Sequence, residues 1–360
     1  MSRVCILSAV NIRHMAMISL YTDRLIRDGI DFDIIYMDKY GEDEEFPATK
    51  KYVFTNIIDH NQPNWRKALR YMRFRKYAVR ILEKSEYDFI IVWNDVAILM
   101  FSDYLARKWK GKYSLNIRDY CRQDKMPVSW LFKWVIKNAA FNTTSSLGYK
   151  VFLPEADYIQ VHSLNMPVLR KLSPRKCFRQ PGEPIRIGFV GYVRFFDINS
   201  KLLDIFKNDP RFELHYYGSH SEYLQEYAEE KGVINAFFHG SFPVQDTSLY
   251  LERIDIVNNL YGNQTKSLDY ALSIKLYNGV WCRLPILVCP GTYMEKVSNE
   301  YGLGYTVFQY NEHLKENIFN WYHSLDFQEF NASCERFISK VEQENRLFDD
   351  AYNQFIKSYQ

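Results

Sequence analysis

Long apolar runs are missing from this 360-residue sequence. No stretch reaches 18 consecutive apolar residues, so a membrane-spanning helix is not expected. A secretory leader is not expected either. The opening Met1-Ser2-Arg3-Val4-Cys5-Ile6-Leu7-Ser8 is apolar but short, lacks a cleavage site, and reads as a buried first strand. The six cysteines, at 5, 121, 177, 282, 289 and 334, form no Cys-x-x-Cys pair and no Cys/His cluster, which argues against a zinc site. Several sit inside apolar runs as small core residues do, and a reducing, cytoplasmic setting is expected. Short-period repeats and low-complexity tracts are absent as well.

Hydrophobic residues make up 47% and charged residues 25%, a normal balance for a folded protein. At roughly 100–200 residues per domain the length predicts two domains. Aromatic residues reach 17%, with 28 Tyr and 25 Phe; large cores and sugar-binding faces both use them, and composition does not choose. The net charge of +3 conceals a split. Residues 1–180 carry 30 Lys and Arg against 19 Asp and Glu, a net of +11; residues 181–360 carry 16 against 24, a net of −8. A basic first half suits an anionic partner such as a membrane surface, a lipid diphosphate or nucleic acid.

Along the first half, short apolar strands alternate with segments of helical spacing. Val4–Val10, Phe32–Met37, Val53–Ile58, Phe89–Trp93 and Tyr113–Ile117 read as strands, and Met15–Arg27, Val96–Trp109 and Val128–Ala140 as helices. The segment 172–184 has three Pro, one Gly and no apolar period, and reads as a linker. The alternation then restarts. Strands are expected at Ile185–Val190, Phe212–Tyr217, Val233–Phe238, Ile254–Leu260 and Pro285–Val288, helices at Lys201–Asn208, Ser221–Lys231 and Ser273–Trp281, and a mostly helical end at Leu314–Tyr359. Short strands alternating with helices indicate parallel α/β sheets. The expected domains are 1–171 and 185–343, with a final helix, 344–360, crossing back to the first.

In open parallel sheets ligands gather at the carboxyl ends of strands, which marks three places in the second half. In Phe189-Val190-Gly191-Tyr192-Val193-Arg194, Gly191 ends a strand and Arg194 is placed to grip a diphosphate with two bonds; a surface Arg in a loop is the alternative. In Ser273-Ile274-Lys275-Leu276-Tyr277-Asn278, Ser273 is a helix N-cap and Lys275 sits in the first turn. A lysine there opposes the helix dipole unless an anion is near. Asn278 lies three residues on, on the same face, so a cation and an amide point from one helix start, suiting a phosphate and a ribose. After the next strand, Gly291 and Thr292 form either an anion nest or a plain capping loop.

These segments carry a resemblance. Residues 185–310 resemble the C-terminal domain of the large retaining family of bacterial glycosyltransferases with the GT-B fold (group 1, family 4-like, of the capsule and exopolysaccharide type). Ile-Gly-Phe-Val-Gly-Tyr-Val-Arg looks like that domain's first strand and phosphate loop, Phe212-Glu-Leu-His-Tyr-Tyr-Gly218 like its second strand, and Phe237-Phe-His-Gly240 like its next strand and turn. Ala-Leu-Ser-Ile-Lys-Leu-Tyr-Asn…Arg-Leu-Pro-Ile is the most specific match, and Tyr301-Gly-Leu-Gly304 resembles the Tyr-Gly-Ile-Gly that follows it. Two Rossmann-like α/β/α domains facing each other across a cleft are thereby implied. So is a nucleotide-diphosphate sugar, UDP-sugar by preference, bound by Gly191, Arg194, Ser273, Lys275, Leu276, Asn278, Gly291 and Thr292. Most relatives carry an acidic residue where Asn278 stands and a second Glu where Tyr270 stands. Arg283 replaces their usual Gly.

By the same analogy acceptor groups lie on loops after the first-half strands. His14 and Asp119 are the candidates there for acceptor contact or proton handling, with an ordinary loop residue as the alternative for His14. Arg66, Arg70, Arg73, Arg80 and Lys84 recur at steps of 4, 3, 7 and 4 and share one stripe of a helix beside Trp65, Leu69, Met72 and Val79. That stripe, and the Trp130–Lys137 patch, suit an anionic membrane surface; a core-packed helix with a solvated face is the alternative. Nucleic acid is disfavoured, since no binding motif accompanies the charge.

The expectation is a glycosyltransferase of surface polysaccharide synthesis (capsule, exopolysaccharide or O-antigen). It would need no metal or cofactor, and would take a nucleotide sugar as co-substrate and a saccharide or lipid-linked acceptor. It would stand in the cytoplasm or peripherally at the inner face of the membrane. Alternatives are a nucleotide-sugar epimerase or hydrolase on the same fold, or a membrane-surface scaffold without catalysis.

Overall fold

The computed structural model describes residues 3–15, 17–57, 63–261 and 264–359. The chain divides into two compact units, Met1–His162 with Gln343–Gln360, and Ser163–Glu342.

The first unit is built on seven strands: β1 (Arg3–Ser8), β2 (Asp31–Asp38), β3 (Lys50–Thr55), β4 (Phe89–Trp93), β5 (Tyr113–Ile117), β6 (Phe141–Thr144) and β7 (Ile159–Gln160). Their order is β3-β2-β1-β4-β5-β6-β7, and all pairs are parallel, Leu7 lying opposite Ile35 on one side and Val92 on the other. The central strands are apolar runs rather than alternating ones because helices cover both faces of such a sheet. The helices Ser19–Arg27, Asn64–Lys84, Asp95–Lys108 and Val128–Lys137 separate successive strands. On one face, Val4, Ile6, Tyr21, Ile34, Ile91 and Trp93 form a core with Phe348, Tyr352 and Ile356 from the end of the chain. Arg24 Nε meets Asp349 Oδ1 at 2.6 Å on the rim of that core.

The second unit repeats the plan with β8 (Ile185–Val190), β9 (Phe212–Tyr217), β10 (Ala236–Phe238), β11 (Ile256–Asn258), β12 (Ile286–Val288) and β13 (Gly304–Thr306). The order is β10-β9-β8-β11-β12-β13, again all parallel. Both sheets therefore carry the doubly wound 3-2-1-4-5-6 order. Its direction reverses between β1 and β4 in one unit and between β8 and β11 in the other, the points where such sheets open a crevice.

The segment expected as a linker, 172–184, is packed onto the second unit. The Phe178 ring packs edge-on to Phe327 and tilted against Tyr322 and Phe330. The buried Asp255 carboxylate accepts from Arg175 Nη1 at 2.5 Å, Arg179 Nε at 2.6 Å and the Arg186 backbone N–H at 2.8 Å. Three prolines there mark a fixed path and not a free tether. Residues 163–171 also belong to the second unit. The strand expected at Val53–Ile58 ends at Thr55, and Ile58 lies outside the described residues, as does Ala16 of the helix expected from Met15. Among the described residues, no helix is long and apolar enough to cross a membrane.

Candidate nucleotide site

The second unit holds a cavity of about 330 Å³ at the carboxyl ends of β8 and β9, lined by Gly191, Tyr192, Gly218, Ser219, Ser241, Phe242, Thr247, Ile274 and Asn278 among others. Glycine is required at its floor. Gly191 (φ 123°) and Gly218 (φ 143°) both adopt conformations that L side chains avoid. A Cβ on Gly218 would run into the Gly191 carbonyl oxygen. The two strand ends thus close up and leave bare backbone beside the cavity.

Asn278 enters this cavity from the helix Ile274–Cys282. It is 6% exposed, and its Oδ1 is buried with no hydrogen-bond partner among the described residues. An acceptor left unpaired in this way is costly, and a ligand hydroxyl would satisfy it. Ser273 caps the same helix, its Oγ accepting from the Lys275 backbone N–H at 3.2 Å. Leu276, expected near the donor, packs in the apolar core with Val190, Val257 and Val280.

Lys275 is 6% exposed. Its Nζ lies 3.4 Å from the centre of the Phe189 ring and 3.2 Å from the Tyr261 hydroxyl. Among the described residues no carboxylate pairs with it. Burial lowers the ammonium below its ordinary value, Tyr261 opposes that shift, and the nearby Arg194 charge adds to it. Burial raises the Tyr261 phenol, but Lys275, the bond to Ser273 and the Arg194 charge outweigh it, leaving it below the usual tyrosine range. Arg194 itself is exposed, rests over the Tyr192 ring at 5.1 Å, and makes no ion pair among the described residues. Two cations without counter-charges therefore stand beside the strand end of β8. Arg194 lines a separate aromatic cavity with Phe195, Phe196 and His220 rather than the one holding Asn278.

Gly291 and Thr292 are otherwise engaged. The Gly291 N–H donates to Glu295 Oε2 at 2.7 Å, and Thr292 Oγ1 accepts from the Glu295 N–H at 3.1 Å. Thr292 caps the helix Tyr293–Tyr301 and that helix's own acid reaches back past it to Gly291, which occupies donors an anion would use.

In the first unit, His14 is exposed on the turn after β1, its ring 5.4 Å from that of Tyr40. Asp119 is exposed after β5, accepting from the Tyr120 N–H at 2.7 Å. Among the described residues no hydrogen bond joins the two. Asp95, just after the fourth strand, was not among the candidate residues. Buried at the start of the helix Asp95–Lys108, it accepts from the backbone N–H groups of Arg118 and Asp119 at 3.0 and 2.9 Å and from Gln123 Nε2 at 2.9 Å. Burial pushes its carboxyl up to about 7 against those bonds. An acid at a helix start just after an apolar strand was the available signal. On the helix Asn64–Lys84, Phe74, Ala78 and Leu82 face inward, leaving Trp65 (60% exposed), Leu69 and Met72 (63%) on the surface beside exposed Arg66, Arg73, Arg80 and Lys84. Arg70 is half-buried and donates to the Ile57 carbonyl.

Two parallel α/β sheets of this order, in tandem, make up the GT-B fold. Solved structures share it over nearly the whole chain. Sucrose-phosphate synthase from Thermosynechococcus elongatus is 11% identical, with 99% of this chain and 100% of that one covered and a TM-score of 0.69. HepE from Anabaena, in complex with UDP-glucose, is 12% identical over 98% and 100%, with a TM-score of 0.65. A Listeria monocytogenes protein provisionally assigned as a UDP-N-acetylglucosamine 2-epimerase is 10% identical over 99% and 98%, with a TM-score of 0.63. No family profile and no curated protein sequence matches this chain.

Proposed function

We propose that this protein is a glycosyltransferase that takes a sugar from a nucleoside diphosphate sugar, UDP-linked by preference. The observation that carries the reading is Lys275, an ammonium buried to 6% exposure with a phenol and an aromatic ring for company and no carboxylate among the described residues. A buried charge without a counter-charge is expensive, and a diphosphate supplies what it lacks. Arg194 and Lys275 hold the diphosphate, Asn278 Oδ1 accepts from a ribose hydroxyl, and the bare backbone at Gly191 lets the phosphates approach. Preorganised positive charge then stabilises the leaving nucleoside diphosphate, so no divalent metal is needed for that task. UDP-glucose bound to HepE, a protein of the same fold, supports the nucleotide class.

The acceptor is a saccharide or a lipid-linked saccharide of a surface polysaccharide, and transfer retains the anomeric configuration. Exposed Trp65, Leu69 and Met72 beside Arg66 and Arg73 dock the first unit on the inner face of the membrane, where lipid-linked acceptors lie. His14 and Asp119 contact that acceptor.

The epimerase reading rests on the same cavity and on the Listeria protein of like fold. A thermal-shift panel with UDP, GDP, CDP and dTDP tests the common ground. A nucleotide present at 100 times its Kd adds about 2.7 kcal/mol, and Lys275→Ala should abolish the shift. No shift with any nucleotide rejects the donor reading. Turnover of the nucleotide sugar without an acceptor would favour the epimerase or hydrolase.

A further inference from the structure

The strongest unused chemistry in the second unit lies beside Lys275 and follows from counting protons. Tyr261 leaves β11 through Asn259 and Leu260, and its ring packs 5.3 Å from that of Phe195. Its hydroxyl is 3.1 Å from Ser273 Oγ and 3.2 Å from Lys275 Nζ. The ammonium can only donate, so the phenol oxygen accepts from it. Ser273 Oγ already accepts from the Lys275 backbone N–H. One bond joins the two hydroxyls, whichever of them donates it. The other hydroxyl proton then has no acceptor among the described residues, and neither do the remaining ammonium protons except the Phe189 ring face.

We propose that the Tyr261 hydroxyl is a direct ligand of the anion site. With the Lys275 ammonium it donates to the terminal phosphate of the nucleoside diphosphate, the group that departs with the nucleotide. The inference rests on the nucleotide-sugar reading above and adds to it a residue that sequence reasoning passed over. A phosphate oxygen fits because it carries several lone pairs and a negative charge, and so can accept from both donors at once. The lowered phenol agrees with this, since its proton is held loosely and is given readily to an anion. If Tyr261 instead served only as a partner for Lys275, its own proton would need no acceptor and its loss would not be felt by a phosphate.

The test is isothermal titration calorimetry of the full-length protein with three probes: UDP, inorganic pyrophosphate and uridine. Tyr261→Phe should weaken UDP and pyrophosphate roughly ten- to hundredfold, the range for a hydrogen bond to a charged group, and leave uridine unchanged. Ser273→Ala keeps both donors but frees the phenol, and should weaken the same two probes by less. Unaltered pyrophosphate and UDP affinity in Tyr261→Phe overturns the proposal. Should that variant fail to fold, 3-fluorotyrosine at position 261 keeps the ring and makes the hydroxyl a stronger donor, and unaltered UDP and pyrophosphate affinity in that protein overturns the proposal instead. Pyrophosphate binding that Tyr261→Phe loses, in a protein that binds no nucleotide, would uphold the anion site while rejecting the donor reading. Wild-type protein that binds neither UDP nor pyrophosphate rejects both.

Discussion

Asn258 donates its side-chain amide to Asn199 Oδ1 at 3.0 Å, and through that one buried bond two loops of the candidate site are tied together. Asn199 Nδ2 in turn donates to the carbonyls of Arg194 and Phe195 at 2.8 and 3.0 Å. Asn258 Oδ1 accepts from the Leu260 N–H at 3.1 Å. Arg194 on one side and Tyr261 on the other are thus referred to a common anchor. Asn258→Ala leaves a buried acceptor and a backbone donor unpaired. It should cost about 1–3 kcal/mol by urea denaturation and weaken UDP binding as well.

Lys275 should show function and stability pulling apart. Lys275→Met removes a buried charge that the unliganded protein neutralises poorly and replaces it with a side chain of similar length. The unliganded variant should melt at or above the wild-type temperature, while its UDP-induced shift disappears. A variant that loses several degrees would mean that the ammonium is structural.

Asp95 gives a pH dependence with a definite sign. Its carboxyl titrates at about 7 in the folded protein, above the ordinary unfolded value of about 4. A group raised in this way contributes stability that is complete below the ordinary range and is lost as pH rises through about 7. Asp95→Asn should flatten that part of the stability profile between about pH 4 and pH 7. Carbon-13 NMR of the Asp95 carboxyl should show the midpoint directly.

Asp255 should be among the most damaging single positions outside the site. It is 1% exposed and holds Arg175, Arg179 and the Arg186 backbone. Asp255→Ala strands these partners, and breaking a buried pair on one side costs about 3–5 kcal/mol. Chemical denaturation is the check, and segment 172–184 should become protease-sensitive at the same time.

The exposed face of the helix Asn64–Lys84 makes a surface prediction. Replacing Trp65, Leu69 and Met72 with Ser should abolish flotation with vesicles rich in anionic lipid. Melting temperature should barely move, since all three are exposed. Equal flotation of both proteins would remove the membrane from the reading.

The strands legible in the sequence were those with a strong apolar pattern. Phe89–Trp93, Tyr113–Ile117, Ile185–Val190 and Phe212–Tyr217 stand in the structure at the expected bounds: the first is a continuous apolar run, and in the other three apolar residues recur at every second position, as a strand requires. Phe141–Thr144, Ile159–Gln160 and Gly304–Thr306 were not foreseen. They are short, and Asn142, Thr143, Thr144 and Gln160 are polar residues buried by their neighbours rather than by their own chemistry. At the site, Lys275 and Asn278 were visible because a helix start constrains what stands three residues apart. Tyr261, Asn199 and Asn258 were not, because their partners come from distant stretches of chain and no local spacing announces them. Leu276 packs in the apolar core, since one step along a helix turns a side chain by about 100° from its neighbour.

The first core is closed by residues from the end of the chain: Phe348, Tyr352 and Ile356 pack against Tyr21, Ile34 and Trp93. On a ribosome, domains commonly fold in the order in which they emerge, yet here the earlier half stays unfinished while the later half is made. For residues 3–162 the wait spans the whole synthesis of 163–342, with the apolar seat for Phe348 open to water. An expression fragment cut near residue 162 should for that reason be insoluble on its own and be rescued by supplying 343–360 in trans.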